Sequence, residues 1–257
     1  MKKYNPEFPY PRRRVIRAIL RRIIHGAFYV LSDLKVEGRE NFPPSGPLLL
    51  VGNHFSFVDP VAMIHVTPWQ VEFVGGTALP NAPPVLRWIP DMWGRYEVVR
   101  GGGSTYALRG AESVLKQGGV LGIFPEAGAW ATALRPARPG TAFLAARTGA
   151  RLLPMGFDGM TEVFPTLRQG RRARATVRIG KPFGPFHVTG RGRQRRRQLD
   201  EIGHEIMRHI AELIPPERRG FYSDDPAIRE AARGTEIYPY DDRPELEHKG
   251  SKNWKPQ

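Results

Sequence analysis

Between residues 12 and 31 the apolar positions Ile16, Ile19, Leu20, Ile23, Ile24, Ala27 and Phe28 recur at three- and four-residue spacing, with Arg12, Arg13, Arg14, Arg17, Arg21 and Arg22 among them. That period predicts an amphipathic helix with arginine on its remaining face. Such a helix suits a bilayer interface, and it equally suits a terminal helix packed on a core with a solvated basic side. Downstream, short apolar runs alternate with helical patterns. Strands are predicted at 48–51, 71–74, 96–99, 120–124, 152–157 and 175–179, and helices at 60–66, 84–88, 105–117, 140–148 and 199–213. Ser104 is placed to cap the helix that starts at 105, and Gly118-Gly119 to stop it. The expected fold is therefore α/β: one domain with a central, mostly parallel or mixed sheet flanked by helices, preceded by the amphipathic helix. We divide the chain into a basic membrane-interface helix (residues 1–33), the α/β domain (34–214) and an irregular tail (215–257) rich in proline, glycine and charge.

Composition narrows the chemistry. With 257 residues, 40% hydrophobic and 25% charged, the chain is globular rather than disordered. It has no cysteine, which excludes a disulfide scaffold, a thiol nucleophile and any cysteine-based metal site. Lys plus Arg number 39 against 25 Asp plus Glu, a net charge of +14 that points to anionic partners. The segment from Arg168 to Arg197 alone holds ten arginines and Lys181 with no acid. It lacks the interleaved aromatics and signatures of RNA-binding modules, so nucleic acid is not expected; an anionic lipid surface or a plainly solvated charge run remain. The apolar run at 23–31 is short and leads into Ser32-Asp33-Leu34-Lys35 without a small-x-small cleavage pattern. We expect a cytoplasmic protein, peripheral and monotopic on the inner leaflet, rather than one with a secretory signal or spanning helix.

Several motifs are missing. There is no G-x-x-x-x-G-K-[ST] loop, no G-x-G-x-x-G, no H-E-x-x-H pair and no G-x-S-x-G elbow. No metal or bound cofactor is expected. One constellation stands out: Asn53-His54-Phe55-Ser56-Phe57-Val58-Asp59, directly after the apolar run 48–51. Polar residues at the C-terminal end of a buried strand lie where ligands bind in α/β sheets. Asp59-Pro60 reads as a helix start with Asp at the N-cap. On a continuous helix His54 and Asp59 would stand about 140° apart, so a pair requires His54 on the strand-to-helix turn, folded back toward the carboxylate. Asp59 would then orient one ring nitrogen and leave the other as a general base. A capping Asp beside an unrelated His fits the spacing too.

A second block, Gly122-Ile123-Phe124-Pro125-Glu126-Ala127-Gly128, also follows an apolar run. Together with Asn53–Asp59, Tyr96-Glu97-Val98-Val99-Arg100 and Leu152-Leu153-Pro154-Met155, it resembles the glycerolipid acyltransferase family, the relatives of 1-acylglycerol-3-phosphate acyltransferase. The resemblance runs from about residue 34 to 179. It implies transfer of an acyl chain from a thioester to a hydroxyl of a lipid acceptor, lysophosphatidic acid or a related lysolipid or glycolipid. His54 would be the base and Asp59 its orienting partner, with Asn53, Arg100, Pro125, Glu126, Gly128 and Arg138 in substrate binding. The oxyanion would be held by backbone N–H groups near Gly128 or around Asn53. The co-substrate would be acyl-CoA or acyl carrier protein. Arg100 would meet an anionic group of the acceptor, unless it only closes a strand at the surface; Glu126 would help bind the acceptor, unless it caps a turn. Trp88, Trp93 and Trp130 either line an acyl groove or belong to the core. Two departures matter. The third block reads Phe-Pro-Glu-Ala-Gly-Ala-Trp, without the family's arginine, so Arg135 or Arg138 would have to supply the cation; and Gly75-Gly76-Thr77 stands where many relatives carry a lysine. Both put a phosphate-bearing acceptor in question. The rival readings are a non-catalytic membrane-surface protein of the same fold and, further off, a nucleic-acid-binding protein.

Overall fold

A strand that is apolar on both faces needs cover on both, and Leu48, Leu49, Leu50 and Val51 are all fully buried. The computed structural model describes residues 5–76, 84–98 and 105–237. Helix α1 (Arg14–Leu31) runs without a linker into β1 (Ser32–Glu37). There follow β2 (Leu48–Gly52), α2 (Val58–Val66), β3 (Val71–Gly76), α3 (Trp88–Trp93), β4 (Tyr96–Val98), α4 (Thr105–Lys116), β5 (Val120–Ile123), α5 (Pro139–Thr148), β6 (Arg151–Asp158), α6 (Val163–Arg168), β7 (Ala173–Ile179), α7 (Gly192–Ala211) and α8 (Pro226–Ala232). The seven strands form one sheet in the order β1-β7-β6-β2-β5-β3-β4. All neighbours are parallel except β6 and β7. Leu48 and Leu50 pack with Leu20, Ile24 and Phe28 of α1 and Met63 of α2, while Leu49 and Val51 pack with Leu115, Leu144, Ile206 and Ile210 of α4, α5 and α7. The α/β class and the mixed sheet agree with the sequence reading.

The differences have physical causes. Edge strand β1 offers only Leu34 and Val36 as partly buried apolar positions, too weak an alternation to register. The helix expected at 84–88 is a single 3-10 turn at Pro84–Leu86, and α3 begins at Trp88. Helix α7 starts seven residues before 199, because its first two turns are arginine-rich and solvated and carry no apolar period. In the stretch read as an irregular tail, Asp225 caps α8 by accepting the Ala227 N–H at 2.8 Å, and Gly220 and Ser223 are buried. Helix α4 stops as expected at Gly118, whose φ of 75° suits glycine and whose N–H reaches Leu115 O. The cap at Ser104 lies outside the described residues.

The larger correction concerns α1, whose arginines are not all on the outer face. Arg17 is 1% exposed, and its guanidinium meets Glu72 at 2.5 Å and 2.8 Å and the Trp93 carbonyl at 2.8 Å. Arg12 adds a third guanidinium contact to Glu72 at 2.6 Å and lies 4.0 Å over the Tyr96 ring. Burial acts to raise the Glu72 carboxyl, but the two guanidiniums outweigh it and hold it below the ordinary carboxylate range. The group therefore contributes stability that is fully present above the unfolded carboxylate pKa and is lost as pH falls through the depressed native one. Glu72→Gln should cost about 3–5 kcal/mol by leaving Arg17 buried without a counter-charge. It should also flatten the acid side of the stability profile. Urea midpoints between pH 3 and 7 check both, and equal midpoints for the two proteins would show that the clamp contributes nothing.

Candidate active site

Strands β2 and β5 lie side by side, Val51 beside Ile123, so their C-terminal ends open at one edge of the sheet. Asn53 continues β2 by side-chain bonding: its Nδ2 donates to Phe157 O at 2.8 Å and its Oδ1 accepts the Phe157 N–H at 2.7 Å. Both amide atoms are thus committed to β6 in a fully buried setting. Asn53, grouped from sequence with the substrate-binding residues, ties the ends of β2 and β6 together.

The chain then turns sharply into α2. Asp59 is not the N-cap but sits inside the first turn of α2, which begins at Val58. Its Oδ2 accepts the Phe55 and Ser56 N–H groups at 2.7 Å each and lies 3.1 Å from His54 Nδ1. The structure therefore brings His54 and Asp59 together through the folded-back turn. Asp59 Oδ1 is buried with no hydrogen-bond partner among the described residues. Burial raises the Asp59 carboxyl above its ordinary range, against the pull of His54 and the two N–H groups. The His54 ring stacks on Phe124 at 4.3 Å, and its side chain keeps 18% of its surface exposed. With Nδ1 directed at the carboxylate, Nε2 is the nitrogen left for a substrate proton.

The β5 side is joined to this turn by Glu126. Its Oε1 accepts the His54 N–H at 2.9 Å, and its Oε2 accepts the N–H and Nε of Arg135 at 3.2 Å each. Burial pushes the Glu126 carboxyl up to about 7, with Arg135 opposing the rise. Arg135 also donates to Gly128 O and lies 3.7 Å over the Trp130 ring. Arg138 is elsewhere: its N–H donates to Pro125 O at 2.8 Å, but its exposed guanidinium reaches Glu236 O. Of the two cations the loop offered, Arg135 is the one that contacts Glu126, while Arg138 keeps its guanidinium at the surface; nothing in the sequence separated these placements. Arg100 lies outside the described residues. Pro154 sits in β6 one residue before the pairing with β7 begins, where its missing N–H costs no ladder bond. Trp93 is core, donating to Val71 O at 2.9 Å, while Trp130 donates to Thr235 O at 2.8 Å and Trp88 is exposed on α3.

A family model described as Acyltransferase matches residues 33–158, which include both constellations. That stretch is an acyltransferase domain, and the chain is similar to the glycerolipid acyltransferases. It is 27% identical over 161 residues to a chloroplastic 1-acyl-sn-glycerol-3-phosphate acyltransferase of Arabidopsis thaliana, covering 60% of this chain and 44% of that one. A chloroplastic enzyme of the same name from Brassica napus is 26% identical over 157 residues, 60% of this chain and 45% of its own. The chain thus spans less than half the length of these curated relatives. The crystal structure of the 1-acyl-sn-glycerophosphate (LPA) acyltransferase PlsC from Thermotoga maritima shares the fold, with a TM-score of 0.53 at 23% identity over 77% of this chain and 83% of that one.

Against the family pattern, the displaced glycine has a structural consequence. Ala127 stands where Phe-Pro-Glu is usually followed by glycine, and it holds the left-handed conformation with φ 59° while its N–H closes a turn on Phe124 O. A residue with a Cβ is strained there by about 1 kcal/mol. Ala127→Gly should therefore raise stability by about 0.5–1 kcal/mol, seen as a thermal midpoint higher by about 2 °C. A lower midpoint would mean that the turn is not held left-handed in solution.

Proposed function

We propose that the protein is an O-acyltransferase that moves a fatty acyl chain from a thioester to a hydroxyl of a lysophospholipid or related lipid acceptor. The observation that carries this reading is the His54–Asp59 pair, in which Asp59 Oδ2 takes the Phe55 and Ser56 N–H groups and faces His54 Nδ1, leaving Nε2 directed away from the carboxylate. A binding module has no use for an oriented base. His54 Nε2 takes the proton of the acceptor hydroxyl as its oxygen attacks the thioester carbonyl carbon. The tetrahedral oxyanion then collapses, the C–S bond breaks, and the imidazolium returns the proton to the leaving thiolate. Asp59 stabilises the imidazolium between those steps. The N–H groups of His54, Phe55 and Ser56 are already spent on carboxylates. The oxyanion would then be held by backbone N–H groups near Gly128, on the loop after β5. The curated relatives are 1-acyl-sn-glycerol-3-phosphate acyltransferases, which makes lysophosphatidic acid the first acceptor to try. The thioester would be acyl-CoA or acyl carrier protein; exposed Arg193, Arg195, Arg196 and Arg197 suit the phosphate of either.

The reading includes a bilayer surface. No described helix is long and apolar enough to cross a membrane. Yet α1 leaves Val15 73%, Ile19 52%, Ile23 57% and Val30 63% exposed, beside solvated Arg14 and Arg22, and α3 adds Trp88 and Met92. An aliphatic stripe with arginines at its margin fits an anionic membrane interface, which would bring a lipid acceptor to the site.

His54→Ala and Asp59→Asn should each lower thioester consumption with vesicle-borne lysophosphatidic acid by at least about a hundredfold, with far-UV circular dichroism and vesicle binding retained. Turnover that survives His54→Ala removes His54 as the base. Separately, Ile19→Asp with Ile23→Asp should weaken co-sedimentation with anionic vesicles by more than tenfold, since each isoleucine contributes about 1.5–3 kcal/mol when buried. Unaltered co-sedimentation would make α1 a structural helix only.

A further inference from the structure

We propose that Arg135 is a positioning residue of this site: it locks Glu126 into the bond that holds the His54 turn, and does not itself bind the acceptor. The inference rests on the acyl-transfer reading and assigns a role to a residue that the family's pattern places elsewhere. An arginine that recognises a phosphate must present its fork to the open site. Arg135 is 1% exposed, and its donors point inward. Nε and the backbone N–H share Glu126 Oε2 at 3.2 Å, Nη2 donates to Gly128 O, and the guanidinium plane covers the Trp130 ring at 3.7 Å.

From that anchor the connection runs directly to the base. Glu126 uses its second oxygen, Oε1, on the His54 N–H at 2.9 Å. One carboxylate thus spans the loop after β5 and the turn after β2. The loop that carries Arg135 is pinned from outside as well. Leu134 donates to Arg218 O at 2.9 Å and accepts from the Phe221 N–H at 3.1 Å, while Trp130 donates to Thr235 O at 2.8 Å. The C-terminal segment therefore sets where the guanidinium lies, the guanidinium sets the carboxylate, and the carboxylate sets the His54 backbone.

The charged and titratable groups around Glu126 are Arg135 on its own loop, His54 and Asp59 on the turn into α2, and Tyr222 on the C-terminal segment, which in turn faces Arg208 of α7. Burial and Asp59 raise the Glu126 carboxyl while Arg135 lowers it, to about 7. Removing Arg135 removes the main lowering influence, so the carboxyl would hold its proton to higher pH.

The test is the pH profile of kcat and of KM for lysophosphatidic acid in the full chain, for wild type, R135Q, R135K, E126Q and the double variant R135Q/E126Q. The expected result for R135Q is a kcat lower at pH 7 by on the order of tenfold to a hundredfold, with the acid limb displaced to higher pH and KM changed less. R135K, which keeps the charge without the fork, should recover part of the loss. The double variant should exceed R135Q, because a neutral amide needs no counter-cation. A raised KM with kcat and the acid limb unmoved, or additive losses in the double variant, would overturn the proposal and make Arg135 an acceptor ligand or a loop brace. If R135Q does not fold, E126Q carries the test: the acid limb must flatten, and an unmoved limb overturns the proposal. Titration of the His54 ring by NMR gives a readout without turnover. A displaced ring titration in E126Q and R135Q supports the link even if wild type proves inactive and the acyl-transfer reading fails, and identical titrations overturn it.

Discussion

The His54 N–H donates to Glu126, and this one bond makes a single object of two strand ends that the sheet only sets side by side. Strands β2 and β5 pair through Val51 and Ile123. Beyond those residues the ladder stops, and each chain departs with backbone donors that need partners. Carboxylates take them up. Asp59 accepts from Phe55 and Ser56, and Glu126 accepts from His54 and Arg135. Asn53 does the same toward β6 with its amide. The turn that carries His54 is thus held at 53, 54, 55 and 56 in succession. An imidazole so constrained has little reorganisation left to make, which under the proposed function is where an oriented group would gain its rate advantage.

Three buried carboxylates in one domain meet the cost of burial in three ways. Glu72 is flanked by two guanidiniums and stays well charged, so it acts as a clamp for α1. Asp59 has only neutral donors and one imidazole, and its carboxyl is raised. Opposition to that rise comes from hydrogen bonds to the Phe55 and Ser56 N–H groups and from His54, and burial outweighs them. Glu126 stands between these cases, with a single guanidinium and a neighbouring carboxylate. The differences follow from the count and charge of the donors, not from depth, since all three are 1% exposed or less.

Much of this was legible in the residues. The continuous apolar run at 48–51 declared a strand buried on both faces, and the polar blocks that follow it and the run at 120–123 declared the edge at which a site would form. The five-residue separation of His54 and Asp59 also showed that a pair required a folded-back turn rather than a helix face. Long-range partnership was not legible. Arg17 shares its pattern with the solvated arginines around it, and distant partners, Glu72 55 residues away and the Trp93 carbonyl beyond it, make it a core residue. Arg135 and Arg138 occupy equivalent-looking places in a proline-rich loop, and the choice between them is made by residues 218 to 236. Ala127 gave no sign of its left-handed conformation, because alanine carries no turn signal; glycine would have.

The antiparallel pairing of β6 with β7 connects the site to the surface that α1 presents. Strands β2, β5 and β6 point their C-terminal ends at the edge that carries His54. Strand β7 runs the other way, with Thr176 beside Asp158, and β1 runs parallel to β7, with Ser32 beside Ala173. The N-terminal end of β1 therefore lies at the same edge as His54. Because α1 enters β1 without a linker, its last turn, with exposed Tyr29 and Val30, arrives there too. Had β7 been parallel to β6, Ser32 would have come out at the opposite edge and α1 would have ended away from the site. The clamp at Glu72 fixes the other end of the helix. An aliphatic stripe held at both ends thus finishes at the edge that carries His54, and if the stripe meets a bilayer as proposed, that edge lies near the interface.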